Sequence, residues 1–214
     1  MMQYDREHSL HTQLNEFLVK ILGVPGTDYA EKLDLSALLS LKSTLSDINN
    51  LITVKLALGL ADWIADRFQL DETVRAEMRK IILETKPNTN GFDVWLGYPL
   101  TFVGEVKCNV PINGGEKYGT QQRNGIIADV ETLISGKRKS PMITKDILKF
   151  MAFLDVPEVR AANTHLLKSN KYLAERLVFL DPEIIPSDVN YVHGVYVKLA
   201  KGINLPEHNP LIRR

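Results

Sequence analysis

The chain has 214 residues, 26 basic and 26 acidic side chains, a formal net charge of zero and one cysteine, Cys108. Zero net charge argues against a protein that coats nucleic acid by bulk electrostatics, but leaves room for a local basic surface around an acidic site. One cysteine rules out an internal disulfide framework and a Cys-rich zinc site, and it suits a reducing cytoplasm.

The first ten residues are polar and charged rather than an apolar leader. The most apolar run, Leu51 to Leu60, is about half a membrane span and contains Lys55. A soluble, cytoplasmic protein with no membrane partner is the expectation. Leu14, Phe17, Leu18, Ile21 and Leu22 recur at helical spacing and stop at Gly23 and Pro25. A second apolar stretch begins at Leu33 to Leu41. A longer one from Leu45 to Phe68 carries Ile48, Leu51, Ile52, Leu56, Leu60, Trp63 and Ile64 on one stripe. Core packing is the first reading of these stripes, and a subunit interface is the alternative.

Beyond Asp71 the period changes. A short helix over 71–77 is expected, then a strand over Lys80-Ile-Ile-Leu-Glu84 ending before Pro87, then a turn over 88–91. Two strand-like runs follow, Gly91–Leu96 and Leu100–Cys108. A polar loop over 109–120 leads into a helix from Gln121 to Ser135, which Gly136 suits as a terminator. A buried strand over Ile147–Leu154, a helix over Pro157–Leu177 and strands over Val178–Leu180 and Tyr191–Leu199 complete the chain. The order implies an α/β fold: a central mixed β-sheet flanked by helices, with a helical N-terminal extension. The expected division is a helical region over 1–70 packed on a mixed-sheet core over 71–214, forming one continuous domain.

Strand alternation places Glu105 and Lys107 on one face and Val106 on the other, toward the core. A hairpin loop Tyr98-Pro99-Leu100 makes paired residue numbers sum to 198, which sets Asp93 opposite Glu105. A two-residue loop would require positive φ, which Pro99 cannot adopt. Two facing carboxylates repel, and a divalent cation removes the penalty. Mg²⁺ takes oxygen ligands and keeps several waters; Asp93, Glu105 and the backbone carbonyl of Val106 are candidate ligands, with Mn²⁺ able to substitute. Lys107 would steady an attacking water or a phosphate oxygen as negative charge develops. An exposed, purely structural strand face is the competing reading. Glu84-Thr-Lys86 repeats the Glu-x-Lys pattern but runs directly into Pro87.

Asp93 followed by Glu105-Val-Lys107 resembles the PD-(D/E)XK nuclease superfamily, the fold of many type II restriction endonucleases. That family shares a helix, a three-stranded meander, a helix and a further strand, an order matched here over about residues 53–155. The resemblance makes Asp93, Glu105 and Lys107 the catalytic set. Phe92 stands where the family often has proline. An additional acid is common in the family, and Glu84, Asp62 and Asp66 are the candidates. A restriction-endonuclease-like core, Mg²⁺-dependent cleavage of double-stranded DNA, a homodimer and a cognate DNA methyltransferase are what the resemblance implies. A structure-directed repair, recombination or phage-defence nuclease, and a non-catalytic interaction protein, are the alternatives.

The segment from Glu105 to Lys149 holds eight Lys or Arg against five acids, a small local excess. Asn109, Asn113, Lys117, Tyr118, Gln121, Gln122, Arg123 and Asn124 are candidate DNA contacts, being types that pair with base edges or phosphate. An ordinary loop capping a helix through Thr120 is the other reading. Lys137-Arg138-Lys139 reads as a solvated helix end, with phosphate binding as the alternative. His193 reads as a packed core histidine, and Cys108 as a small buried hydrophobe on the Val106 side.

Overall fold

A computed structural model describes residues 5–22, 28–85, 91–111, 115–137, 144–181 and 183–199. The chain divides into two compact units, Met1–Asn49 and Asn50–Arg214, and the division falls inside one long helix.

The first unit holds helix α1 (Arg6–Leu22), a single 3-10 turn (Ala30–Lys32) and the start of helix α2 (Leu35–Arg67). The two stretches read as separate from Leu33 onward are thus one helix. Tyr29 N–H donates to Asn15 Oδ1 at 2.7 Å, tying the turn to α1. Core packing does not describe this unit. Ala30 is its one buried apolar residue among those described, while Phe17, Ile21, Leu35, Leu39, Leu45 and Ile48 are exposed. Its two helices and one turn offer too little facing surface to cover their own stripes.

The second unit contains a five-stranded mixed sheet flanked by helices. Strand order is β1 (Val94–Leu96), β2 (Phe102–Lys107), β3 (Leu148–Leu154), β5 (Val192–Val197), β4 (Leu177–Phe179). β1 is antiparallel to β2, and the remaining pairs are parallel. Val94 pairs with Gly104 and Leu96 with Phe102, the register in which partners sum to 198. α2, by length and composition, is long and apolar enough to cross a membrane. Its C-terminal half instead buries Leu56, Leu60 and Ile64 in the core beside Val94, Phe102, Val106, Phe150 and Val195.

Residues 80–84 form no strand; they are the end of helix α3 (Glu72–Glu84), capped by Asp71, whose side chain accepts from Val74 N–H at 2.9 Å. Val74, Met78 and Ile82 follow at spacings of four and pack on the α2 face, so helical period outweighs the β-branched Ile-Ile pair. The three-stranded meander is therefore reduced to the β1–β2 hairpin among the described residues. The opposite sheet face carries Val103, Met151, Phe153 and Val192 against helix α4 (Thr120–Ser135) and helix α5 (Pro157–Ser169). The helix expected over 157–177 breaks at Asn170. That residue's side chain caps a short helix α6 (Lys171–Ala174) by accepting from Leu173 N–H at 3.0 Å, and Leu177 already belongs to β4.

Phe150 is the centre of the α2-side core, meeting the rings of Trp63 at 6.0 Å, Phe68 at 6.5 Å and Phe102 at 5.8 Å. Truncation would leave a void between sheet and helix with no neighbour free to fill it. Phe150→Ala is expected to destabilise the fold by about 3–5 kcal/mol in chemical denaturation, with an unchanged denaturant slope.

Candidate functional site

The β1–β2 register directs Asp93 toward Glu105 across the base of the hairpin. Asp93 Oδ2 accepts the Val106 backbone N–H at 2.9 Å, so the first acid is fixed to the strand carrying the second. This bond engages the amide of Val106, the residue whose carbonyl was a candidate ligand. Val106 itself faces α2 in the core, as alternation requires. Glu105 and Lys107 share the other face, under α4.

That face is not the open patch the sequence suggests. Glu105 is only 7% exposed. The reason is the end of α4. Gly136, with φ of 85°, terminates the helix and turns Lys137 back over the sheet. Lys137 Nζ lies 2.6 Å from Glu105 Oε1, donates to the Gly91 carbonyl, and sits 5.0 Å from the centroid of the Phe92 ring. Lys137 is therefore not a solvated helix end, while Arg138 and Lys139 lie outside the described residues. The Lys137 ammonium is thus the cation that meets the buried Oε1 of Glu105.

Burial raises the Glu105 carboxyl from its ordinary 4.5 to about 8. The Asp93 charge and a carboxyl–carboxyl hydrogen bond with Asp93 act in the same direction, while the Lys137 ammonium opposes them. Lys107 is paired as well: its ammonium contacts Asp129 Oδ2 on α4. Gly125, one turn before Asp129, lies over the same ammonium, and a Cβ there would stand 3.8 Å from Lys107 Nζ. The cluster thus holds three acids, Asp93, Glu105 and Asp129, and two lysines, Lys107 and Lys137.

No group of three or more His, Cys, Asp or Glu side chains poised for a metal occurs among the described residues. The donor set is a carboxylate pair. Mg²⁺ is commonly held by one or two carboxylates with water completing its shell, so the pair fits it. The buried Glu105 Oε1 is the oxygen a metal ion would share with, or take from, the Lys137 ammonium.

The other predicted residues are dispersed. Glu84 is exposed on the last turn of α3. Asp62 receives two hydrogen bonds from Arg79 Nη1 at 2.8 and 2.7 Å, and Asp66 contacts Arg75 Nη2 at 2.5 Å, so both serve the α2–α3 pairing. Gln122 is engaged within the protein: its Oε1 accepts from Gly119 N–H at 3.1 Å and its Nε2 donates to the Val110 carbonyl at 2.9 Å. The helix cap is accordingly Gly119, and Thr120 is the first helical residue. Tyr118 OH donates to Asn163 Oδ1 at 3.0 Å, and burial raises its pKa. Lys117, Gln121, Arg123 and Asn124 are exposed, Asn109 is half-buried, and Asn113 lies outside the described residues. His193 is buried as expected, with Nε2 2.8 Å from the Asp188 carbonyl. Cys108 is half-buried and accepts from Thr53 Oγ1 on α2 at 3.7 Å, on the Val106 side as expected.

Asp129 and the inward turn of Lys137 were not anticipated. Asp129 had a trace in sequence: Gly125 and Asp129, four apart, interrupt the apolar face of α4 with a small and an acidic residue. No family model matches the chain, and no curated protein or solved structure matches it.

The raised carboxyl has a defined consequence. Between pH 4.5 and about 8 the unfolded chain releases the Glu105 proton while the folded chain retains it. That difference removes stability as pH rises through this window and is constant above it. Glu105→Gln, measured in chelator, is expected to melt above the wild type at pH 8, the gap closing toward pH 5. A lower melting temperature at pH 8 would refute the raised carboxyl.

Proposed function

We propose that the chain is a Mg²⁺-dependent endonuclease with a restriction-endonuclease-like core, cutting double-stranded DNA at a specific site as type II enzymes do. The observation that carries the reading is the meeting of Asp93 and Glu105 across the β1–β2 hairpin, with Lys107 on the same strand face. Bound there, Mg²⁺ (or Mn²⁺ in its place) would supply positive charge to the phosphate and acidify a water.

The chain's own residues have separate tasks. Asp93, tied through Oδ2 to Val106 N–H, is held at a fixed height over the sheet. Glu105 presents a buried oxygen whose one cationic neighbour among the described residues is the Lys137 ammonium at 2.6 Å. Lys107 keeps an ammonium on that face, and Asp129 positions it. Such a preset positive charge stabilises a developing oxyanion without reorganisation at the moment of reaction. Lys117, Gln121, Arg123 and Asn124, exposed on the segment that leaves the site strand, are the proposed DNA contacts, with Asn109 at its base. Tyr118 and Gln122 hold that segment in place. A cognate methyltransferase would protect host DNA.

A homodimer belongs to the same reading, since two-fold symmetry suits cleavage of both strands. Its support is the first unit: Leu38, Leu41, Leu45 and Ile48 repeat at three and four residues, a coiled-coil seam, and Leu45 is 53% exposed. One observation favours the second reading, a non-catalytic interaction protein. Each lysine of the cluster already has a protein carboxylate as partner, as in a structural ion network.

Cleavage separates the two readings. Asp93→Asn and Lys107→Ala are each expected to lower Mg²⁺-dependent cleavage of long duplex DNA by about 10²-fold or more. Unchanged cleavage in both variants overturns this site, and absence of Mg²⁺-dependent cleavage by the wild type leaves the non-catalytic reading. Light scattering tests the dimer: Leu45→Glu combined with Ile48→Glu is expected to halve the mass in solution.

A further inference from the structure

Lys137 occupies an uncommon position for a lysine that follows a helix. Its ammonium is surrounded by groups that bind cations: the Gly91 carbonyl, the Glu105 carboxylate at 2.6 Å and the face of the Phe92 ring. Gly91, Phe92 and Asp93 are consecutive, and Glu105 stands opposite Asp93. The ammonium therefore lies against the same acid pair that a divalent ion would need.

Lys137 Nζ and a metal ion cannot both contact Glu105 Oε1, because two cations at that separation repel strongly in a half-buried site. We propose that Lys137 competes with the divalent ion for this carboxylate pair, so that metal entry displaces the ammonium, and Lys137 thereby sets the ion concentration at which the site loads. The inference rests on reading Asp93 and Glu105 as a metal seat. The chain has a means of making the exchange. Gly136, at φ 85°, joins Lys137 to α4 through a residue of broad backbone freedom, and the lysine stem has four rotatable bonds. Lys107 stays in place, because its partner Asp129 is anchored in the body of α4 rather than at its end. Lys137 is thus a positioning residue.

The experiment is calorimetric titration of the full chain with Mn²⁺ at one pH, comparing wild type, Lys137→Met and Lys137→Gln. Removing the competing charge is expected to tighten Mn²⁺ binding by about ten-fold or more in both variants, the scale of coupling between two ligands. A structural lysine would give the opposite, since its loss loosens the acid pair and weakens binding. Lys137→Arg, which keeps the charge, is expected to remain near wild type. Unchanged or weaker binding in Met and Gln variants, with wild type still binding, overturns the competition and leaves the metal seat standing. No Asp93-dependent Mn²⁺ binding in wild type or either neutral variant overturns both.

Discussion

The constraint on which the second unit turns is the meeting of two carboxyl groups, a half-buried Asp93 just before β1 and a buried Glu105 on β2. Their register leaves them no way to separate: Val94 pairs with Gly104, and Asp93 is tied to Val106 by its own hydrogen bond. Three compensations act. The Val106 amide donates to Asp93, the Lys137 ammonium meets Glu105, and Glu105 retains its proton up to about pH 8. None is complete, since the Glu105 carboxyl stays raised even with the ammonium at 2.6 Å.

The topology explains why these groups meet. β2 and β3 are parallel, so the chain must cross from one end of the sheet to the other between them, and α4 makes that crossing over one face. Its apolar residues Ile126, Val130 and Leu133 seat it on Val103 and Met151. Seating fixes its rotation, which brings Gly125 and Asp129 over Lys107. The helix then ends at Gly136, where the left-handed φ sends Lys137 toward Glu105. A hairpin and one crossover helix therefore assemble five charged side chains from three elements. Little else in the sheet is polar. Lys149, 3% exposed, directs its ammonium to the carbonyls of Ile147 and Val189 instead, which is a fastening.

Much of this was legible in the sequence for a physical reason. Strand alternation and the backbone restriction at Pro99 are local rules, and together they specified which acid faces which. β3, α4 and β5 were equally plain: β3 and β5 are mostly apolar runs of strand length, and Ile126, Val130 and Leu133 hold helical spacing in α4. The Lys80–Glu84 segment was misread because Ile-Ile-Leu favours strands, whereas the spacing of Val74, Met78 and Ile82 reveals a helix only when viewed over three turns. The first unit was misread for a different cause. A helical stripe shows that a face is apolar, but not that anything lies against it, and Leu45 and Ile48 are uncovered. The partners of Lys107 and Lys137 could not be derived from periodicity. They depend on the rotation of α4 and on one glycine torsion, which only the packed sheet determines.

The direction of the Glu105 shift bears on what kind of cluster this is. In an ion network that stabilises a fold, the acid is more comfortable charged than in water, and its pKa falls. Here it rises, even with an ammonium at 2.6 Å, because burial and the neighbouring Asp93 outweigh the lysine. The folded chain thus holds an acid whose ionisation works against the fold in the neutral range. Local arrangements that oppose stability persist where surrounding structure over-determines them, and they gather at functional sites. The surrounding structure does over-determine this one: the hairpin register, the Val106 amide and the seating of α4 each fix a member of the cluster independently. Of the two acids Lys137 contacts Glu105 alone, so on the proposed reading a divalent ion would offset both acids where the ammonium offsets one.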